Sequence, residues 1–330
     1  MTYGRSKARN HTAFTQQDAP VRNRGDKKGT DPMRTTAPRR RARRTLVGTG
    51  AAIALLAGAV TGCQSQGKQE EGERGAQAAP RWNTAPASIA AVGDSITRGF
   101  DACSVLADCP EVSWATGNDP AVLSLATRLL GDAEAPARSW NYAVTGSRMA
   151  DLSGQLVSAA AHKPDLVTVM VGSNDACRPT ASSMTPVADF RAGFEKALTE
   201  LRTASPTTQV YVSSVPDLQR LWEQGKDLPM VRQIWKLGIC QSMLADPLSA
   251  ASGATARREQ VRARVVEYNE VLREVCGKDP LCRYDGGAVF QYPFSAEQLS
   301  HWDWFHPGKD GQARLAELAH RQVTAAEPPR

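Results

Sequence analysis

The sequence predicts one α/β domain built on a mostly parallel, five-stranded sheet. Three observations carry that prediction. From Ser88 onward, strand-like and helix-like segments alternate, which is the rhythm of β-α-β units. The clearest strand, Leu166–Val171, reads Leu-Val-Thr-Val-Met-Val without polar alternation, as a strand buried on both faces should. Short polar motifs follow several of the strands, where a parallel sheet places its ligand site.

The elements follow in order. Ile89–Val92 is a short apolar strand, and Pro120–Leu130 has helical spacing. Trp140–Val144 reads as a second strand and Ala150–Ala161 as a second helix. After the strand at 166–171, Phe190–Leu201 is helical and Val210–Val215 is a fourth strand. Residues 217–258 form a long excursion with Leu221, Trp222, Met230, Ile234, Trp235, Leu237 and Met243. Such a segment reads either as a lid over the site or as extra helices pinned by Cys240. Thr255–Val275 is a long helix, a fifth strand is expected near Gly287–Phe290, and Gly308–Ala325 is the last helix. There is no internal repeat.

The formal charge of +6 would suit a nucleic-acid partner, but its placement does not. Thirteen of the 40 Lys and Arg fall in residues 1–62, against three of the 34 Asp and Glu. Residues 63–330 therefore carry a formal charge of −4, with no basic stripe to track a phosphate backbone.

Residues 1–62 read as a targeting region. A basic cluster at Arg39, Arg40, Arg41, Arg43 and Arg44 precedes the apolar run Leu46–Gly62, which ends in Val-Thr-Gly-Cys at 60–63. That ending resembles a bacterial lipobox, and the resemblance implies a diacylated Cys63 at the mature N-terminus. Seventeen residues with several glycines are short for a membrane span. Arg43-Arg44-Thr45-Leu46-Val47 weakly resembles a twin-arginine signal, and Met33 is an alternative start. Residues 63–85 are expected to be anchor and flexible tether, rich in Gln, Glu, Gly and Ala. Residues 86–325 would be the domain and 326–330 a tail. The expected location is the extracytoplasmic face of a bacterial membrane.

Setting Cys63 aside, six cysteines remain, an even number that suits an oxidising compartment. Cys103 is close to Cys109 and Cys276 to Cys282, leaving Cys177 with Cys240; sequence alone leaves other connectivities open. No Cys-x-x-Cys pair occurs, so no metal site is expected.

The polar motifs are Gly93-Asp94-Ser95, Thr145-Gly146, Gly172-Ser173-Asn174-Asp175 and Asp303-Trp304-Phe305-His306-Pro307. Each residue type has a place in acyl transfer. A serine hydroxyl needs a base to take its proton, which makes Ser95 the candidate nucleophile and His306 its partner. Asp303, three residues earlier, can hold the other ring nitrogen. The backbone N–H groups of Ser95 and Gly146 and the side-chain amide of Asn174 are the candidate oxyanion donors. The ordinary readings are a helix cap for Ser95 and turn positions for Gly146 and Asn174. Asp94 and Asp175 read as loop-structuring carboxylates and His301 as a solvent-facing decoy. Pro307 suits the first turn of the last helix. Trp302 and Trp304 read as acyl-pocket lining or as core.

These blocks, in this order, resemble the SGNH (GDSL-type) hydrolase superfamily over about residues 88–325. Gly-Asp-Ser-Ile at 93–96 is similar to its nucleophile block, with Ile where Leu is usual. Gly146, Gly-Ser-Asn-Asp at 172–175 and Asp-x-x-His at 303–306 are similar to the other three. The resemblance implies a flavodoxin-like three-layer α/β/α fold, no metal or organic cofactor, and an oxyanion hole at Ser95, Gly146 and Asn174. Val112–Gly117 and Gly172–Cys177 are similar to segments of the phospholipase B-like branch. The expected partners are an ester or lipid substrate and, through the anchor, a membrane. The chain is expected to act as a monomer.

Overall fold

A computed structural model describes residues 81–329. The targeting region, Cys63 and most of the tether lie outside those residues. Five strands form one sheet: β1 (Ile89–Gly93), β2 (Ser139–Asn141), β3 (Leu166–Met170), β4 (Gln209–Val212) and β5 (Cys282–Tyr284). Their order is β2-β1-β3-β4-β5, and every pairing is parallel, where the sequence suggested a mostly parallel sheet. This is the doubly wound, flavodoxin-like order. All residues of β1, β3 and β4 are buried, which explains why these strands read without regular polar alternation.

The helices are α1 (Ser95–Arg98), α2 (Leu125–Leu130), α3 (Ala135–Arg138), α4 (Leu152–Ala160), α5 (Ser173–Ala176) and α6 (Val187–Ala204). There follow α7 (Leu218–Gly225), α8 (Pro229–Trp235), α9 (Gln241–Leu244), α10 (Ser252–Cys276), α11 (Ala288–Gln291) and α12 (Lys309–Thr324). Helices lie on both sides of the sheet. α4 packs on α6 and α6 on α10, while α12 packs on α2. The apolar stripe of α6, Phe190, Phe194, Ala197, Leu198 and Leu201, recurs every three or four residues and is buried throughout. None of the described helices is long and apolar enough to cross a membrane.

Several expectations need correction. The fifth strand is Cys282–Tyr284, and most of the stretch at 287–290 is the short helix α11. The second strand is shorter than 140–144, although Tyr142 and Val144 N–H groups still bond to Ala91 and Gly93 carbonyls beyond it. Residues 120–124 are turn, and α2 begins only after Ser124, whose hydroxyl accepts from Thr127 N–H. Pro307 precedes the cap of α12, Gly308, and pairs instead with Leu299 in an antiparallel bridge. Residues 81–85 are docked on the domain: the Trp82 indole donates to Val323 O at 2.8 Å, and Arg283 stacks on its ring. The excursion packs as helices α7 to α9, with Leu221, Val231, Trp235 and Met243 buried. Bridges join Cys103–Cys109, Cys177–Cys240 and Cys276–Cys282.

Candidate active site

β1 and β3 are neighbours in register, with Gly93 opposite Met170. The turns that leave them therefore emerge side by side, and they carry Ser95 and Asn174. The first turn is tight. Gly93 has φ 144°, and a Cβ there would stand 2.1 Å from Met170 O, so glycine alone fits. Gln155 on α4 clamps the same residue on both sides of its Cα, accepting from Gly93 N–H at 2.7 Å and donating to Gly93 O at 3.0 Å.

Asp94, not Ser95, caps α1: its carboxylate accepts from Ile96 N–H at 3.0 Å. Ser95 is the first helical residue, so its N–H has no intrahelical acceptor. The Ser95 hydroxyl lies 2.7 Å from His306 Nε2, and His306 Nδ1 lies 2.5 Å from Asp303 Oδ2. Asp303 Oδ1 accepts from the N–H groups of Phe305 and His306, at 2.9 and 3.0 Å, which locks the carboxylate to its own turn. The rings of Phe100 and Phe305 stand edge-to-face with the imidazole, ring centres 5.1 and 5.2 Å away. His301 is exposed, its ring tilted 40° against that of Trp302, and it bonds to no member of the relay.

Gly146 is the third residue of a turn closed by Ser147 N–H on Val144 O, with φ 85°, a conformation that favours glycine. Asn174 Nδ2 donates to Ser147 O at 3.0 Å, which ties the two loops together. That bond uses one of the two amide hydrogens and leaves the other to donate. Asp175 accepts from Met149 N–H at 2.9 Å and holds the base of the same loop.

The electrostatics are those of buried charges in contact. Burial works against ionised Asp303, but the charge and hydrogen bonds of His306 outweigh it and hold the carboxyl below its ordinary range. Burial also works against charged His306; Asp303, then Asp94 and Asp101, overcome it and raise the imidazole above its ordinary value. Burial pushes Asp94 up to about 7.

A crevice of about 20 Å³ is lined by Ile96 and Phe305, the chain neighbours of Ser95 and His306, with Ser173, Leu218, Leu221 and Phe294 among others. Its lining is almost wholly apolar. Neither Trp302, which is exposed, nor Trp304 contributes to it. The excursion does, through Leu218 and Leu221, and it also touches the relay: Trp235 Nε1 donates to Asp303 O at 3.1 Å.

Sequence reasoning missed Gln155, Trp235 and Asp101. Each lies outside the motifs, and its role appears only once distant segments meet. Asp101 is buried, and its carboxyl oxygen, that of Asp303 and a ring nitrogen of His306 lie within 4.8 Å of one another.

A doubly wound parallel sheet with a serine–histidine–aspartate relay at its carboxyl edge is the architecture of a class of ester-cleaving hydrolases. The chain belongs to the GDSL-like lipase/acylhydrolase family, whose model matches residues 91–314. Similar solved structures include a GDSL-like lipase from Parabacteroides merdae ATCC 43184, 19% identical, which covers 75% of this chain and 100% of that one with a TM-score of 0.45. An extracellular lipase from Streptomyces rimosus is 18% identical, over 72% of this chain and 99% of that one, with a TM-score of 0.43. A family 3 carbohydrate esterase from Clostridium thermocellum is 14% identical, over 71% and 93%, with a TM-score of 0.41. No curated protein sequence matches.

Proposed function

We propose that this protein is an exported, lipid-anchored serine esterase that cleaves acyl esters, those of lipids included, through an acyl-serine intermediate. The observation that carries the reading is the unbroken chain Ser95–His306–Asp303, at 2.7 and 2.5 Å. In the first half-reaction His306 Nε2 takes the Ser95 proton as Oγ bonds to the ester carbonyl carbon. The N–H groups of Ser95 and Gly146 and the Asn174 amide then receive the oxyanion. Collapse expels the alcohol, which leaves with the proton from His306. Water repeats the sequence in the second half: His306 takes its proton, the acyl group departs as the acid, and Ser95 is restored.

The chemistry is tested with a fluorophosphonate probe. Wild type should label at Ser95 and Ser95→Ala should not; labelling elsewhere, or none on folded protein, would remove the enzyme reading. A second reading on the same relay is deacetylation of envelope carbohydrate. A panel of p-nitrophenyl esters of rising chain length, with phospholipids and acetylated sugars, separates the two readings.

The anchor rests on Val60-Thr61-Gly62-Cys63. Two acyl chains on one residue hold a protein on a membrane where a single chain barely does. Mass spectrometry of the mature N-terminus should find a diacylated Cys63. Cys63→Ser should appear in the medium or remain uncleaved, with its activity per folded molecule unchanged.

A further inference from the structure

We infer that Asp101 is a positioning residue of the hydrolytic site, sharing a proton with Asp303 and thereby setting the orientation and charge balance of the Asp303–His306 pair. The inference rests on the roles proposed above for Ser95, His306 and Asp303.

The placement of Asp101 is fixed from several sides. It is 3% exposed and sits in the left-handed region at φ 56°, costly for a residue with a Cβ unless its surroundings hold it there. Its N–H donates to Ala107 O at 3.0 Å, and its carboxylate accepts from Leu106 N–H. Its carbonyl accepts from the Ser300 hydroxyl at 2.6 Å. Ser300 in turn frames the histidine turn: its N–H donates to His306 O at 2.7 Å, and its carbonyl accepts from Trp304 N–H at 2.8 Å. The Cys103–Cys109 bridge closes the loop that follows. These contacts hold the Asp101 carboxyl within 4.8 Å of Asp303 and His306.

Two buried carboxyl groups that close do not both ionise readily. Asp303 has the imidazole and two backbone N–H donors, so the negative charge settles there. Asp101 takes the proton and can donate it in a hydrogen bond to Asp303. Burial first, and then the charge of Asp303, raise the Asp101 carboxyl above its ordinary range.

One other buried acid faces the cluster, Asp94 at the base of the nucleophile. Arg98, the last residue of α1, pairs with Asp108 of the following loop at 3.3 Å.

The pH consequence has a definite sign. Ionised Asp101 adds a negative charge beside His306 and favours imidazolium, which is useless as a base. The neutral base therefore accumulates over a broadened, upward-shifted range of pH, in a coupled titration. Asp101→Asn keeps a donor for Asp303 but cannot ionise. Its acid limb of kcat/KM should be steeper and lie at lower pH than that of wild type. On the alkaline side its kcat should fall several-fold, because the extra charge no longer supports the imidazolium of the transition state. A merely structural role would move neither limb.

The experiment is kcat/KM against pH with p-nitrophenyl acetate, together with NMR titration of ¹⁵N-labelled His306, for wild type and Asp101→Asn. Wild-type His306 should show a titration step that Asp101→Asn lacks. Superimposable curves, or an acid limb displaced upward, would overturn the inference. If Asp101→Asn does not fold, Asp94→Asn decides. A second step that survives there belongs to Asp101, and a single step overturns the assignment. Absence of ester hydrolysis in wild type would strike the proposed function alone, because the NMR titration needs no turnover.

Discussion

At the residue scale the sharpest expectations concern the relay. His306→Ala and Asp303→Asn should each lower kcat by about 10⁴-fold, the usual order for loss of a triad member. His301→Ala should leave kcat within about twofold of wild type, since its ring points to solvent against Trp302. Steady-state kinetics on folded variants checks both, and a dominant effect at His301 would reverse the assignment. Because Asp303 outweighs burial and raises His306, the acid limb of kcat/KM should lie above the ordinary histidine value of 6.5. Ser95, Asp303 and His306, which the structure brings into one hydrogen-bonded chain, could be picked out in the sequence because each lies in a short motif whose chemistry its neighbours signal; Gly146 and Asn174 stood out in the same way as candidates. Asp101 was not. Its importance comes from a fold-back that spans about two hundred residues, and an aspartate in a polar loop looks like any other.

At the element scale the turn after β1 is the most demanding piece of backbone. Gly93→Ala would press a Cβ into Met170 O, a backbone atom that cannot swing aside. Shifting β1 against β3 should cost on the order of 2–4 kcal/mol, read as a lower denaturant midpoint, and should reduce kcat by displacing Ser95 from Asn174. A midpoint equal to wild type would show that the turn relaxes more easily than its contacts imply. The Cys177–Cys240 bridge ties the turn after Asn174 to α9, and Ser242 reinforces it by bonding Ala176 O at 2.7 Å. Mild reduction should therefore lower activity before circular dichroism reports loss of the fold; simultaneous loss would assign the bridge to global stability alone. Most elements were readable from periodicity. The fifth strand was not, because Ala288-Val289-Phe290 is an apolar run too short to tell helix from strand. Cys282-Arg283-Tyr284 hides its pairing behind a buried arginine that bonds Gln322 and Ala325 carbonyls.

At the scale of the whole molecule, alternating segments made the class and layering of the fold legible, since a parallel sheet must be crossed by helices. Sequence could not say how the excursion packs, because its apolar residues suit a mobile cover as well as fixed helices. The stability of the whole should also depend on pH through Asp94. Its carboxyl ionises near 3.8 when unfolded and at about 7 when folded, so folding favours the protonated form. That contribution is complete below about pH 4 and is lost as pH rises towards 7, with a span on the order of 4 kcal/mol. Asp94→Asn, which keeps a capping side chain, should gain on wild type in melting temperature as pH rises across that window. A constant difference between the two would assign Asp94 no titration on folding. The three bridges carry a consequence of timing. One closes the loop beside Asp101, one braces the turn beside Asn174, and one lies at the entry to β5. A chain kept among reducing thiols would own its nucleophile and base yet lack the covalent ties around them. Competence to cleave would then lag behind the folding of the chain by the time that oxidation of the three thiol pairs takes.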